Sequence, residues 1–253
     1  IYNSLLSEDN NNIFWGKYIM AAEHIYTQYD TDLEAIRAKV LEMGGIVEEQ
    51  LTDSVSSLMN ADAKLADSVI KKDERVNSLE SEIDEACSEI IAKRSPIASD
   101  LRNVLMMLRI ITDLERIGDE ASKIAKATQR IYEKDRMSKP QTKEIQSIYE
   151  KLQYMLRTAL NSFARLDITE TVAVLESDKE VDGEYRAYMR QLLTYMLEDP
   201  RTISLSLELM FVAKSLERIG DHSKNVSQNV IYTVKGKDVR HSSINEIKAE
   251  LKN

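Results

Sequence analysis

The chain contains 253 residues, of which 43% are hydrophobic and 30% are charged, with only seven glycines and three prolines. This composition is typical of helical globular proteins; it excludes a disordered chain and makes β-strands unexpected. The net charge of −9 argues against nucleic-acid binding as the main task, because nucleic-acid-binding proteins usually carry a basic face. Cations and basic protein surfaces are the partners that this charge favours.

The single cysteine, Cys87, cannot form a disulfide within the chain, which favours a cytoplasmic location. No run of roughly 18 uncharged apolar residues occurs, so no membrane-spanning helix is predicted. Glu8 and Asp9 stand where a signal peptide would have a basic region. We therefore expect neither secretion nor direct insertion into a membrane.

The N-terminal part of the sequence predicts an extension followed by a helix. Residues 1–22 are rich in Asn and show no sustained periodicity, so we expect an extension without regular structure. Apolar residues at spacings of three and four predict a first helix from residue 23 to residue 59. Gly44 and Gly45 interrupt this pattern, and such a pair marks either a bend or the close approach of another helix.

Two further helices complete the first half. Asp62 is the predicted N-cap of a second helix, which ends near Arg94. A third helix begins either at Ser95–Pro96 or at Ser99–Asp100, and it runs to about Tyr132. Both possible starts carry a serine that can cap the first turn.

The second half repeats this order after a polar linker, which we predict at residues 133–140. A fourth helix is expected over 141–165, and a fifth opens at the capping-box pattern Asp167–Glu170. The sixth begins at Asp199–Pro200 and ends at Gly236. The predicted units are an N-terminal extension (1–22), two three-helix bundles (23–134 and 141–236) and a polar C-terminal tail (237–253).

One hexamer occurs twice. The sequence Leu-Glu-Arg-Ile-Gly-Asp spans Leu114–Asp119 in the third helix and returns at Leu216–Asp221 in the sixth. A repeat at this distance is typical of two similar units of about 100 residues each. The predicted fold is therefore all-α: two tandem three-helix bundles, with six long helices, related by an internal pseudo-two-fold axis.

Each hexamer presents a pair of carboxylates on one side of its helix. Residues four apart, such as Glu115 and Asp119, lie one turn apart, and Leu114 and Ile117 point to the opposite side. Oxygen ligands without His or Cys suit hard cations such as Mg, Mn, Ca or ferric iron. The candidate ligands are Asp73, Asn77, Glu115 and Asp119 in the first bundle, and Asp178, Asp182, Glu217 and Asp221 in the second.

A solvated acidic face is the plain alternative in a chain with 43 Asp and Glu residues. Both hexamers nevertheless contain two features that destabilise a helix, and their repetition favours a site. Like charges four residues apart destabilise a helix, and Gly118 and Gly220 each cost a further 1 kcal/mol or about that in a helix interior. Arg116 and Arg218 can neutralise part of the charge, and the glycines can equally serve close helix packing.

Enzymatic chemistry is not predicted. The three histidines lie in separate regions, and no Gly-rich phosphate-binding loop followed by Lys-Ser or Lys-Thr occurs. The sequence also contains no Glu-x-x-His, which weakens a ferritin-like di-iron interpretation. His222 leaves one alternative open, because phosphotransfer domains use an exposed His on a helical bundle. The equivalent residue in the first repeat is Glu120.

Several segments together resemble the PhoU family of bacterial phosphate-signalling regulators, over about His24 to His241. The resemblance implies a cytoplasmic homodimer of two three-helix bundles that is not an enzyme. Besides the two hexamers, the segments that carry it are Met43–Glu48 (Met-Gly-Gly-Ile-Val-Glu), Ile83–Cys87 (Ile-Asp-Glu-Ala-Cys), Ala98–Arg102 (Ala-Ser-Asp-Leu-Arg), Thr194–Pro200 (Thr-Tyr-Met-Leu-Glu-Asp-Pro) and Tyr232–Gly236 (Tyr-Thr-Val-Lys-Gly).

The same resemblance implies a negative regulator of the phosphate-starvation response and of phosphate uptake. Such a protein links the ATPase of the phosphate ABC transporter, PstB, to the histidine kinase PhoR. Some members bind iron clusters on paired acidic motifs. By position, the second bundle supplies the full set of acids, whereas Asn77 replaces an Asp in the first. We therefore expect the first bundle to bind metal more weakly than the second. A metal-binding or metal-buffering protein is the alternative function.

Overall fold

The computed structural model describes residues 8–133, 142–240 and 242–251, and it describes side chains for residues 29–132, 142–240 and 242–249. Within these residues the fold is all-α, without strands. No described helix combines the length and the apolar character that crossing a lipid bilayer requires. The described helices are α1 (Glu8–Asn60), α2 (Ala63–Arg94), α3 (Ser99–Glu133), α4 (Lys143–Arg165), α5 (Thr171–Glu198), α6 (Ile203–Lys235) and α7 (Ile244–Leu251).

Helices α1, α2 and α3 pack against one another as the first bundle. Asp62 caps α2 as predicted, because its carboxylate accepts hydrogen bonds from the backbone N–H groups of Lys64 and Leu65, both at 3.0 Å. The second of the two predicted starts of α3 is the correct one, since the helix begins at Ser99. Ser95 instead ends α2 in the left-handed conformation.

Helices α4, α5 and α6 form the second bundle. The predicted capping box at Asp167–Glu170 is not formed, because α5 begins only at Thr171. Asp167 accepts the N–H of Thr169 at 2.9 Å and so stabilises the preceding turn instead. A 3₁₀ turn at Pro200–Thr202 leads into α6, and Gly236 ends α6 with φ at 71° as predicted.

The prediction of an irregular extension is wrong for the part that the structure describes, because α1 begins at Glu8. Residues 1–7 lie outside the described residues. Once a helix has formed, each added residue gains one hydrogen bond at little further cost, and α1 contains no proline to end it. Gly44 and Gly45 do not interrupt α1 either.

The C-terminal segment is not simply a polar tail. It folds back and adds α7, which packs against α5. Val239 and Ile247 are buried there against Leu175 and Ile231. The tail was predicted as polar because its apolar residues are few, but two of them are enough to hold a short helix on the bundle.

One continuous hydrophobic core runs through both bundles and includes Leu51 and Leu114 of the first and Leu156 and Leu216 of the second. Helix α3 packs against α6, and α1 packs against α4. Polar contacts between the bundles follow the internal symmetry. Glu120 and His222 are equivalent positions in the two repeats, and so are Asp113 and Ser215. Glu120 hydrogen-bonds Ser215, and His222 hydrogen-bonds Asp113. Reciprocal contacts of this kind are what a two-fold axis produces. The predicted linker at 133–140 is described only at Glu133, the last residue of α3.

Candidate functional site

The first acidic cluster consists of Asp73 on α2 and Glu115 and Asp119 on α3, all half-buried. As predicted, the apolar residues on the other side of α3, such as Leu114 and Ile117, are fully buried. Burial raises the pKa of Asp73, and the negative charge of Asp119 raises it further. Burial likewise raises the pKa of Glu115, assisted by nearby carboxylates. Lys123 Nζ lies 3.8 Å from Asp119 and compensates part of the charge, so the cluster keeps net negative charge.

Gln50 of α1 is a member of this cluster that the sequence analysis missed. Its side chain is fully buried, and its Nε2 lies 3.5 Å from the Asp73 carboxylate and 3.4 Å from the Val69 carbonyl oxygen. Among the described residues its Oε1 has no hydrogen-bond partner. A buried carbonyl oxygen without a partner, on a side chain that contacts the Asp73 carboxylate, is an additional oxygen donor for a cation.

The hexamer glycines serve close helix packing, which was one of the two predicted interpretations. A Cβ atom on Gly118 would lie 3.1 Å from Gln50 Oε1 and 3.3 Å from Asp73 Oδ1. A Cβ on Gly220 would lie 3.2 Å from Leu152 Cδ2. Leu152 thus occupies in the second bundle the place that Gln50 occupies in the first.

The second cluster has a built-in counter-ion. Lys224 Nζ lies 2.8 Å from Asp178 and 2.8 Å from Asp221. Burial works against the charge of Lys224, but its hydrogen bonds to the two carboxylates outweigh burial and raise its pKa. Glu217 is paired in the same way, because its Oε2 lies 2.5 Å from Lys214 Nζ. The position that corresponds to Lys224 in the first repeat is Ser122.

The two remaining candidate ligands are placed differently from each other. Asn77 is exposed on α2, whereas Asp182 is half-buried, and its charge helps to raise the pKa of Asp178 beyond the effect of burial. Within the described residues, no three His, Cys, Asp or Glu side chains lie close enough together to hold a metal ion. A cation at either cluster would therefore have to draw the carboxylates together.

His222 does not present a freely exposed ring. Its Nδ1 lies 2.9 Å from Asp113 Oδ1 across the contact of α3 with α6, and only 16% of its side chain is exposed. Asn225 donates a hydrogen bond to the same carboxylate oxygen at 3.1 Å. This environment argues against the phosphotransfer alternative, which requires an accessible imidazole.

Cys87 is fully buried, and burial raises the pKa of its thiol to about 12. The thiolate is therefore a negligible species at neutral pH, and Cys87 acts as a small core residue. Its side chain belongs to the shared hydrophobic core.

The two hexamers contribute to a single cleft of about 550 Å³ between the bundles. Arg116 and Asp119 line it from α3, and the equivalent Arg218 and Asp221 line it from α6. The sequence places each hexamer in its own bundle and does not predict that the two line one cleft. The remaining lining residues are Glu120, Lys123, His222, Lys224, Asn225, Gln228 and Arg240.

Comparison with protein families gives two matches within the chain. The model of the PhoU domain matches residues 40–128 and 145–230. A Pseudomonas aeruginosa protein named phosphate-specific transport system accessory protein PhoU homolog is 44% identical over 230 residues, which cover 91% of this chain and 95% of that protein. The Escherichia coli phosphate-specific transport system accessory protein PhoU is 44% identical over 225 residues, covering 89% and 92%.

Solved structures agree with these matches. The crystal structure of PhoU from Pseudomonas aeruginosa has a TM-score of 0.80 with this chain, at 44% identity, and covers 83% of this chain and 100% of the solved one. The phosphate transport system regulatory protein PhoU from Streptococcus pneumoniae has a TM-score of 0.77 at 25% identity, covering 83% and 99%.

Proposed function

Because the chain belongs to the PhoU family, we propose that it is an accessory protein that regulates phosphate transport. In the finer form of this proposal it is a cytoplasmic homodimer that represses the phosphate-starvation response and phosphate uptake. It would do so by binding the transporter ATPase PstB and the histidine kinase PhoR, without catalysing a reaction itself. The observation that carries the proposal is the match, over about nine-tenths of this chain, to relatives named as transport accessory proteins.

Exposed apolar side chains support a role in protein binding. Leu197 at the end of α5 is 85% exposed, and Phe211 on α6 is 65% exposed. Exposed apolar patches on a folded protein often mark contact sites for partners. The exposed apolar residues along the end of α5 and the first half of α6 are Leu193, Leu197, Ile203, Leu207 and Phe211; we call them the apolar ridge.

Co-purification from phosphate-replete cells tests the adaptor role. We expect the wild-type chain to retain both PstB and PhoR, and Leu207→Ser/Phe211→Ser to retain at least one of them about tenfold less. Ile97→Ser is the control, because Ile97 is 76% exposed but precedes α3 and is not one of the ridge residues.

Failure of the wild-type chain to retain either protein would refute the adaptor role. Equal loss of binding in the Ile97 control would refute the assignment of the ridge while leaving the adaptor role in place. Light scattering of the purified chain tests the homodimer, which a monomeric mass would exclude.

Cation binding at the first acidic cluster is a second candidate function. The raised pKa values of Asp73 and Glu115 and the buried, unpartnered Gln50 Oε1 favour it. These ligands suit a hard cation such as iron, Mg or Mn, which would neutralise the cluster when bound. In the second cluster, Lys214 and Lys224 already supply positive charge.

Elemental analysis of purified protein tests this candidate. We expect Asp73→Ala/Asp119→Ala to remove the bound cation, and Glu217→Ala/Asp221→Ala to retain it. This order reverses the one expected from Asn77 alone, because a lysine competes with any cation in the second bundle. Glu85→Ala/Glu198→Ala is the control, since it removes two exposed carboxylates that lie outside both clusters. Wild-type protein without metal would refute the candidate.

A further inference from the structure

The cleft between the bundles is lined by more cationic than anionic side chains, in contrast to the negative net charge of the chain. Five cationic side chains line it, against three carboxylates, although the chain as a whole carries a charge of −9. The three cations that matter here are Arg116, Arg218 and Lys123. We propose that these three side chains bind a small anion that bears a phosphate group.

Glu120 organises two of the three cations. Its side chain is 6% exposed, and its carboxylate accepts hydrogen bonds from Lys123 at 3.0 Å and from Arg218 at 3.1 Å. Burial opposes its ionisation, but the hydrogen bonds from Ser215, Lys123 and Arg218 outweigh burial and lower its pKa. Lys123 also lies 3.8 Å from Asp119, so Lys123 and Arg218 together face two carboxylates. The positive charge that remains in the cleft is that of Arg116.

Both of these cations keep donors for a ligand. The side chain of Arg218 is 52% exposed, and that of Lys123 is 49% exposed. A guanidinium group has five N–H donors, and the bond to Glu120 uses a single one of them. The remaining donors of Arg218 are therefore available on the exposed side.

Arg116 is the counterpart of Arg218 in the other repeat. It is exposed, and within the described residues it makes no ion pair. Burial and neighbouring carboxylates raise the pKa values of Glu80 and Glu115, and the charge of Arg116 offsets only part of that rise. The other two cations of the cleft are satisfied: Lys224 lies between Asp178 and Asp221, and Arg240 is held by Asp238.

The chemistry of these groups suits a phosphate. Guanidinium groups donate paired, parallel hydrogen bonds to phosphate oxygens, and an ammonium adds a point charge. A cleft of about 550 Å³ is of the size that holds small organic ligands rather than a lone ion. Asp119 and Asp221 supply acceptors for hydroxyl or amino groups on the rest of the ligand. A phosphorylated metabolite therefore suits the cleft better than inorganic phosphate.

Titration calorimetry on the full chain tests the proposal, with ATP and inorganic phosphate as separate probes and EDTA present to exclude metal bridging. We expect saturable binding of ATP that is at least about tenfold tighter than that of phosphate, and that weakens with added salt. Arg116→Gln/Arg218→Gln should weaken ATP binding by about tenfold or more. Arg116→Lys/Arg218→Lys should also weaken it, because lysine keeps the charge but loses the paired donors.

Arg186→Gln is the matched control, because Arg186 is exposed on α5 and does not line the cleft. Lys123→Gln is a second, independent variant, and circular dichroism checks that every variant is folded. The absence of binding to both probes, or full affinity in the glutamine double variant, would overturn the proposal. Tighter binding of inorganic phosphate than of ATP would overturn the assignment to a phosphorylated metabolite. The titration needs neither transporter nor kinase, so its failure leaves the proposed adaptor role untouched.

Discussion

At the scale of single residues, the two repeats differ more than their identical hexamers suggest. Gln50 adds a polar group beside Asp73 in the first bundle, whereas the apolar Leu152 occupies that place in the second. Lys224 neutralises the second cluster, and the first has Ser122 at the corresponding position. The same carboxylate pairs therefore have different electrostatic surroundings, and the neighbours decide what each pair can do.

Replacement of Asp73 by Asn should leave the protein as stable or more stable at pH 7, by roughly 0.5 kcal/mol. Burial and Asp119 raise the pKa of Asp73 above its ordinary value of 3.8, so the folded protein binds this proton more tightly than the unfolded chain. Ionisation of Asp73 consequently lowers stability as the pH rises through the raised pKa. The benefit of Asn should shrink as the pH falls towards 3.8.

Urea unfolding at pH 7 and near pH 4 measures this difference, with the exposed Asp30→Asn as control. A clear loss of stability in Asp73→Asn at pH 7 would contradict the prediction.

Replacement of Lys224 by Met should destabilise the protein at pH 7 by about 1–3 kcal/mol, because it leaves the buried Asp178 carboxylate without its partner. The loss should diminish at low pH, where Asp178, whose pKa burial raises, becomes protonated. Thermal unfolding as a function of pH measures it. Lys179→Met, an exposed lysine on α5, is the control and should change stability by no more than about 0.5 kcal/mol.

At the scale of the elements, the two adjacent glycines of α1 have different surroundings: one packs closely against another helix and the other does not. A Cβ on Gly44 would lie 2.6 Å from Leu160 Cδ2 of α4, whereas a Cβ on Gly45 would meet nothing within 4 Å. Helix α1 is continuous through both glycines, and the short distance to Leu160 supports the close approach of another helix, one of the two predicted interpretations, at Gly44. Gly45 has no packing role among the described residues.

This contrast predicts opposite outcomes for two adjacent substitutions. Gly45→Ala should raise stability by about 0.5–1 kcal/mol, because alanine is the better helix former. Gly44→Ala should lose that gain and be less stable than Gly45→Ala by about 1–3 kcal/mol, because Leu160 must move in a packed core. Thermal unfolding of the two variants beside the wild type tests the prediction. Equal melting temperatures of the two variants would contradict the prediction, because they would show that Leu160 moves aside without cost.

At the scale of the whole molecule, the two bundles pack against each other through a shared hydrophobic core. The hydrophobic core is continuous across them, and ion pairs join them at both contacts: Arg130 binds Glu208 through three hydrogen bonds of 2.9–3.1 Å, and Arg157 binds Glu48 at 2.5 Å. Apolar burial along α3 and α6 supplies most of the association energy, and the exposed ion pairs add little.

Cleavage of the chain should therefore not separate the bundles. With a protease site introduced within residues 134–141, we expect the two fragments to co-elute in gel filtration under native conditions and to separate only in denaturant. The intact chain should also unfold in one cooperative transition. Separation of the fragments in native buffer would show that each bundle folds and persists alone.

The sequence by itself determined the helices, their approximate ends, the repeat and the family, because these depend on local periodicity, capping residues and motifs. Asp62 and Gly236 are examples, since each acts through bonds to residues within a few positions. It also determined which acids share a helix face, because the geometry of a helix is the same everywhere. It missed the helical start of α1, and it missed the packing of α7, where Val239 and Ile247 are buried although the segment is mostly polar.

Only the tertiary structure decided what lies beside those acids. Gln50 comes from a helix distant in sequence from α3, and the two hexamers meet in one cleft because α3 packs on α6. Electrostatic environment depends on distances of a few ångströms between elements, and no local pattern in the chain specifies them. The repeated hexamer therefore indicated where to look. Packing determined that a lysine lies 2.8 Å from two carboxylates of the second cluster, whereas the lysine nearest Asp119 in the first cluster is 3.8 Å away.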